Sequence, residues 1–423
     1  MEKPIKVALY GGTFNPPHIG HIKAFECFCG EIKPDVVWVM PSNIPPHKEI
    51  SVGDIPCHRY NMARLAFSGI FENTKISALE LSRKGKSYSI DTVDELLCLY
   101  GSEKIYMYIG SDMLFYFEKW KDFEKLFEKC IIVTAARCQE DKDRIIKVCE
   151  YYKEKYSCEY IILPLIPVDI SSTELRDNEQ CRNKYLTEDI RSYIIKNDLY
   201  GKRDDTGDIT SQEVLSEIRE KLPLFVDEKR LEHIISVEKT AILMAEKFLP
   251  LYGCGYEYLA DISAASLLHD ITKNKDDKWH EEYLDKRMAK EEYFSHKAVY
   301  HSWSGAYFAL ENFFVNPRVF RAVYNHTTAG ADMDIFEKII YLADFIEPTR
   351  KYESCVLLRE KFKALCEKAA SEEELKTALD TIILDSLEGT LSHLQSEKRA
   401  VCPALFAAKD YLYKKLRKDD KID

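Results

Sequence analysis

Gly11-Gly12-Thr13-Phe14-Asn15-Pro16-Pro17-His18-Ile19-Gly20-His21 decides how this chain is read. Residues 5–10 before it form a short apolar run rich in strand formers, and residues 22–29 after it can be helical. The stretch therefore spans a strand-to-helix turn. Its two glycines predict a tight turn and a close backbone approach to a ligand. The helix start behind them offers free N–H groups and a positive dipole end, which suit phosphate. His18 and His21 are three residues apart and would share a helical face. Beside a phosphate, two imidazoles can donate to a polyphosphate and stabilise charge as it develops.

Working outward, 423 residues predict two or more domains, and 46% hydrophobic content supports ordinary cores. A net charge of −11 argues against a basic nucleic-acid surface. The 13 cysteines are odd in number, scattered and without a CxxC pair. That pattern reads as reduced thiols and a cytoplasmic setting, not a disulfide framework. Lys3 and Lys6 are followed only by a strand-length apolar run, so no secretory signal is read there. No apolar run reaches membrane-spanning length. Whether the chain forms a homo-oligomer stays open.

From residue 1 to about 200, short apolar runs at 36–40, 105–109, 130–134 and 160–163 alternate with helical patterns such as 91–100 and 122–129. This alternation predicts a doubly wound α/β sheet, Rossmann-like, with ligands beyond the carboxyl ends of the strands. Polar groups do follow the strands. Pro45-Pro46-His47-Lys48 sits in a proline-stiffened loop, where His47 and Lys48 could equally be solvated. Ser87-Tyr88-Ser89-Ile90-Asp91-Thr92 opens a helix with ordinary capping groups. Gly110-Ser111-Asp112 ends a strand, with Trp120 downstream and able to stack on a flat ring. Ile170-Ser171-Ser172-Thr173-Glu174-Leu175-Arg176 is a second helix start, rich in hydroxyls, with an arginine one turn on.

Together these strings resemble the HxGH nucleotidyltransferase superfamily, and within it the bacterial nicotinate-mononucleotide adenylyltransferases. The resemblance covers residues 1–203. It implies transfer of AMP from ATP to nicotinate mononucleotide with Mg²⁺, giving nicotinate adenine dinucleotide and pyrophosphate. It implies an ATP site of Gly11, Gly12, Thr13, Phe14, His18, His21, Gly110, Asp112, Ser171, Ser172, Thr173 and Arg176, with His18 and His21 catalytic. Asn15, Lys48, Tyr88, Thr92, Trp120 and Arg137 would meet the mononucleotide.

Residues 204–209 are polar and apolar-poor and read as a linker. Beyond it Leu231, Ile234, Ile235, Ala241, Ile242, Ala245 and Phe248 recur at helical spacing. Helical patterns continue, predicting an all-α domain over 210–415. Its polar constellation is His233, His269-Asp270, His301, His326 and Asp344. The His-Asp pair interrupts the apolar run 264–271. A buried aspartate needs a partner or a metal. Imidazole with carboxylate suits iron, manganese or zinc.

The order H…HD…D resembles the HD-domain phosphohydrolases. Leu267-Leu268-His269-Asp270-Ile271-Thr272-Lys273, His301-Ser302-Trp303, His326-Thr327-Thr328 and Tyr341-Leu342-Ala343-Asp344-Phe345-Ile346-Glu347-Pro348 resemble the bacterial symmetrical diadenosine-tetraphosphate hydrolases. That resemblance implies a pair of divalent transition metals, iron foremost. His233, His269, Asp270 and Asp344 would hold one, and His301 and His326 the other, with Asp270 between them. Lys273 and Arg350 would neutralise the polyphosphate. The expected activity is cleavage of diadenosine tetraphosphate into two ADP. Two other readings of this half are hydrolysis of a different phosphate ester and a metal-holding regulatory module. A non-catalytic binding scaffold is a third alternative, for the chain as a whole. Residues 351–423 carry charged helical patterns without identifiable chemistry.

Overall fold

A computed structural model of the chain describes residues 5–42, 55–84, 86–136, 141–166, 168, 170–200 and 209–419. Two compact units result: Met1–Thr206 with Asp285–Glu291, and Gly207–Leu284 with Glu292–Asp423. Apart from Ile209, the expected linker 204–209 lies outside the described residues.

The first unit is built on six strands: β1 (Val7–Gly12), β2 (Val36–Pro41), β3 (Thr74–Ile76), β4 (Ile105–Gly110), β5 (Cys130–Ala135) and β6 (Glu159–Ile162). They form one sheet in the order β3-β2-β1-β4-β5-β6 with every pairing parallel. This is the doubly wound sheet that the alternating pattern predicts. Val7, Ala8, Leu9 and Tyr10 are all under 5% exposed, although they alternate between the two faces. Both faces are therefore covered, as a parallel sheet requires. The strand order reverses between β1 and β4, and ligands of such sheets bind at that crevice. The edge strand β3 escapes the sequence pattern because it is only three residues long.

Among the described residues the second unit is helical throughout. Asp227 caps the helix Glu228–Phe248 by accepting from the Arg230 N–H at 2.8 Å. Its buried stripe is Ile234, Val237, Ala241, Met244, Ala245 and Phe248, while Leu231, Ile235 and Ile242 are only half-buried. The neighbouring helix Leu259–Leu268 is buried from Asp261 to its end, and His269 caps it. Helices Tyr300–Asn312, Pro317–Asn325 and Ile335–Ile346 pack around this centre. No helix is long and apolar enough to cross a membrane among the described residues.

Candidate functional site

In the first unit a cavity of about 460 Å³ opens at the carboxyl ends of β1 and β4. The opening motif forms its floor. Gly11 and Gly12 belong to β1 and are not the turn, which corrects the sequence expectation. Phe14 carries the turn with φ +53°, a left-handed conformation costing roughly 1–2 kcal/mol in a side-chain-bearing residue. Gly12 is needed for space: a Cβ there would stand 2.7 Å from the Phe14 ring. Arg59, 1% exposed, braces the loop from beneath by donating to the carbonyls of Thr13, at 3.1 Å, and Ser42.

His18 caps the helix Ile19–Ile32. Its backbone N–H donates to His21 Nδ1 at 3.3 Å, and the two rings lie 3.8 Å apart. With Nδ1 accepting, neutral His21 carries its proton on Nε2. His18 is 4% exposed, so it is buried. The second helix start, Ser172–Asp177, joins the same wall: Ser172 donates to the Pro16 carbonyl at 2.9 Å. Arg176 donates to the Asn15 carbonyl at 2.8 Å and to Thr173 Oγ1 at 3.1 Å. The structure thus gathers Gly11, Gly12, Thr13, Phe14, Asn15, His18, His21, Tyr88, Gly110, Asp112, Trp120, Ser171, Ser172, Thr173 and Arg176 around one cavity. Lys48 and Arg137 lie outside the described residues.

Thr92 is corrected. It is fully buried, and its hydroxyl donates to Glu80 Oε1 at 2.8 Å. The residue that reaches the cavity wall there is Glu80. Burial pushes the Glu80 carboxyl up to about 7, against the lowering pull of Thr92 and Arg83. Arg83 donates to Thr92 Oγ1 at 2.6 Å and completes the chain. No sequence signal singled out Glu80, Arg59 or Arg83.

In the second unit two groups of donors converge: His233, His269 and Asp270, and Asp270, His301 and His326. Within each, the candidate ligand atoms lie within 4.8 Å of one another. Asp270 divides its oxygens. Oδ2 lies 3.6 Å from His269 Nε2 and 3.8 Å from His233 Nε2. Oδ1 lies 3.4 Å from His301 Nε2 and 3.7 Å from His326 Nε2. Asp344 joins the first group, its Oδ1 being 3.0 Å from His233 Nε2 and 3.7 Å from His269 Nε2.

These residues fit divalent metals. Three imidazoles have Nδ1 occupied: His269 with the Ser266 carbonyl at 2.6 Å, His326 with that of Val323 at 2.7 Å, and His233 with Glu347 Oε1 at 3.1 Å. Such contacts fix the tautomer that presents Nε2 to a metal. Nε2 of His233 and of His269 is buried without a hydrogen bond among the described residues. Burial lowers His326, and burial with the Lys273 charge holds His301 well below the ordinary imidazole value, so both are neutral. Burial alone would raise Asp270, but His269, His326, His301 and Lys273 outweigh it and keep the carboxyl well below its usual range. Asp344 behaves likewise, with Arg350 and His233 opposing burial. His269 differs from His301 and His326: burial opposes its charge, but Asp270 and Asp344 raise it. Two ionised carboxylates among these imidazoles suit a cation, whose binding would displace any proton held on His269.

Cations of the chain itself crowd this centre. Arg230 donates to Asp270 Oδ2 at 2.6 Å, and Arg350 to Asp344 Oδ1 at 2.5 Å. Lys273 Nζ lies 3.0 and 3.2 Å from the two ring nitrogens of His301. Behind His301 runs a chain from His280 Nδ1 to Ser304 Oγ at 2.8 Å, then to Thr272 Oγ1 at 2.9 Å. Thr272 in turn donates to the His301 carbonyl at 3.0 Å. Sequence reasoning missed Arg230 and Glu347. Their signal was the helical spacing of Arg230 to His233, and Glu347 three residues after Asp344.

Comparison with known proteins agrees with both halves. Residues 9–178 match the cytidylyltransferase-like family, and residues 230–349 match the HD domain. A Bacillus licheniformis protein named "Probable nicotinate-nucleotide adenylyltransferase" is 32% identical over 198 residues, covering 46% of this chain and 98% of its own. An Oceanobacillus iheyensis protein of the same name is 33% identical over 199 residues, covering 46% and 97%. A solved Clostridium acetobutylicum structure, described as a "predicted HD superfamily hydrolase involved in NAD metabolism", is 24% identical with a TM-score of 0.40, covering 49% of this chain and 99% of that one. Through its N-terminal half the chain belongs to the nicotinate-nucleotide adenylyltransferase family, and that half is fused to an HD domain.

Proposed function

We propose that the chain is a bifunctional nucleotide enzyme of the cytoplasm, with an adenylyltransferase domain over 1–203 and a phosphohydrolase domain over 210–415. The observation that carries the first activity is that two helix starts and two histidines meet at one cavity. A phosphate oxygen of nicotinate mononucleotide attacks the α-phosphorus of ATP. The new O–P bond forms as the bond to the β-phosphate oxygen breaks, and pyrophosphate leaves. No residue needs to become covalently attached. Helix N–H groups, His18 and His21 stabilise the charge that builds on the transferred phosphoryl group. Trp120 and Tyr88 flank the pyridine, and Asp112 takes the adenosine side. Mg²⁺, when bound with ATP, supplies charge neutralisation on its phosphates. The test is pyrophosphate release with nicotinate mononucleotide against the amide mononucleotide. Equal or better kcat/KM with the amide would remove the acid-specific reading.

For the second half, the carrying observation is Asp270, whose two oxygens face separate imidazole pairs. We propose a pair of divalent transition metals there, iron foremost, and symmetrical hydrolysis of diadenosine tetraphosphate into two ADP. The metals, when bound, supply Lewis-acid stabilisation and activate water. The chain's own residues hold the imidazoles in their tautomers, keep Asp270 and Asp344 ionised and bring Lys273, Arg230 and Arg350 to the polyphosphate. Chromatography of the products decides the cleavage. AMP plus ATP would sink the symmetrical assignment. Turnover only of other nucleotide esters would favour a different phosphohydrolase, and metal content without turnover a regulatory module.

A further inference from the structure

Tyr200 follows the helix Glu188–Lys196, and its hydroxyl donates a 2.7 Å hydrogen bond to Asn15 Oδ1. The two residues are 185 positions apart, so the contact is a product of the fold. Asn15 is 5% exposed and lines the cavity. Its carbonyl is taken by Arg176 at 2.8 Å, which fixes the backbone. A side-chain amide has one acceptor end and one donor end. A donor held on Oδ1 settles which end is which. Among the described residues Asn15 Nδ2 makes no hydrogen bond, so its two N–H donors remain for the cavity.

We propose that Tyr200 is a positioning residue for the mononucleotide, locking the Asn15 amide so that Nδ2 meets a phosphate or ribose oxygen of that substrate. The inference rests on the adenylyl-transfer reading above. The ligand oxygens in question are hydrogen-bond acceptors, and the phosphate is anionic. An amide free to rotate would offer them its own oxygen part of the time, and the two would repel. Holding the donor end forward removes that loss before the substrate arrives, which is preorganisation.

A double-mutant cycle tests this in the full chain. Tyr200→Phe keeps the ring and deletes only the hydroxyl. It should raise KM for nicotinate mononucleotide about fivefold, the worth of one ordinary hydrogen bond. The kcat should stay within about twofold and KM for ATP should not move. Asn15→Ala should raise the same KM at least as far. The double variant should be no worse than Asn15→Ala alone, because the hydroxyl acts only through the amide. Asn15→Asp is the second check. Its carboxylate still accepts from Tyr200 but has no donor to give, so folding should hold while KM rises. Multiplying effects in the double variant would overturn the proposal, as would unchanged kinetics in Tyr200→Phe whatever its melting temperature. A wild-type chain that makes no dinucleotide would overturn the functional reading and this inference with it. An active wild type with a flat cycle would overturn this inference alone.

Discussion

His18 and His21 sit with ring centroids 3.8 Å apart at the first turn of one helix. His21, accepting at Nδ1 from the His18 backbone, keeps an Nε2 donor.

The first prediction follows from that arrangement. Replacing either histidine by Ala removes a preorganised donor and should slow adenylyl transfer by about 100-fold or more. His21 is half-buried, whereas His18 is buried and its removal should also cost roughly 1 kcal/mol of stability. Pyrophosphate release and thermal melting, measured together, separate the two effects. Near-full activity in either variant would exclude the assigned role.

The second concerns Trp120. It is half-buried at the cavity wall with its ring 4.9 Å from that of Phe117, which holds it in place. Trp120→Ala should mainly raise KM for the mononucleotide and leave kcat within a few-fold, since stacking serves both ground and transition state. A large fall in kcat at unchanged KM would argue that the ring orients the reacting phosphate instead.

Glu80 gives a pH prediction. Its folded value, about 7, lies above that of an unfolded glutamate because burial disfavours the charge. The folded state therefore holds the proton more tightly. The stability this contributes is full below about pH 4.3 and is lost as the pH rises through 7. Glu80→Gln keeps the shape without the ionisation. Its melting temperature relative to wild type should rise between pH 5 and about 7.5, by an amount corresponding to roughly 1–3 kcal/mol. A difference that is flat across that range would mean that Glu80 is not titrating there.

What the sequence revealed, and what it hid, divides by contact distance. The strands β1, β2 and β5 were legible because a two-faced buried strand must be a continuous apolar run, and β4, whose alternate residues are only half-buried, keeps the same apolar and aromatic run. The His269-Asp270 pair was legible because it is a polar anomaly within the apolar run 264–271, and the structure brings His233, His301 and His326 to it. Thr92 was misread because a hydroxyl in the first turn of a helix looks the same whether it faces ligand or core. Glu80, Arg59 and Tyr200 carry no local signature, and the spacing of Glu347 from Asp344 does not say which histidine it meets. Their roles come from partners brought in by folding: Arg59 reaches Thr13, 46 positions away, and Glu347 reaches His233, 114 away.

The last prediction concerns the metal centre. Asp270 serves both donor groups, whereas His326 serves one. Asp270→Ala should therefore release metal from both positions. His326→Ala should lower the content by about one ion per chain and leave the other group intact. Metal analysis after gel filtration reads this without any activity assay. The stability effects should also differ. Removing Asp270 leaves Arg230 without its 2.6 Å partner and brings His269, Lys273 and Arg230 together without the intervening charge. A buried ion pair broken on one side costs roughly 3–5 kcal/mol. Asp270→Asn, which keeps the volume but not the charge, should lose metal with a smaller loss of melting temperature than Asp270→Ala. Adenylyl transfer should be unchanged in all three variants, because His18, His21 and their cavity belong to the other compact unit. Retention of both ions in Asp270→Ala would remove the shared-carboxylate assignment.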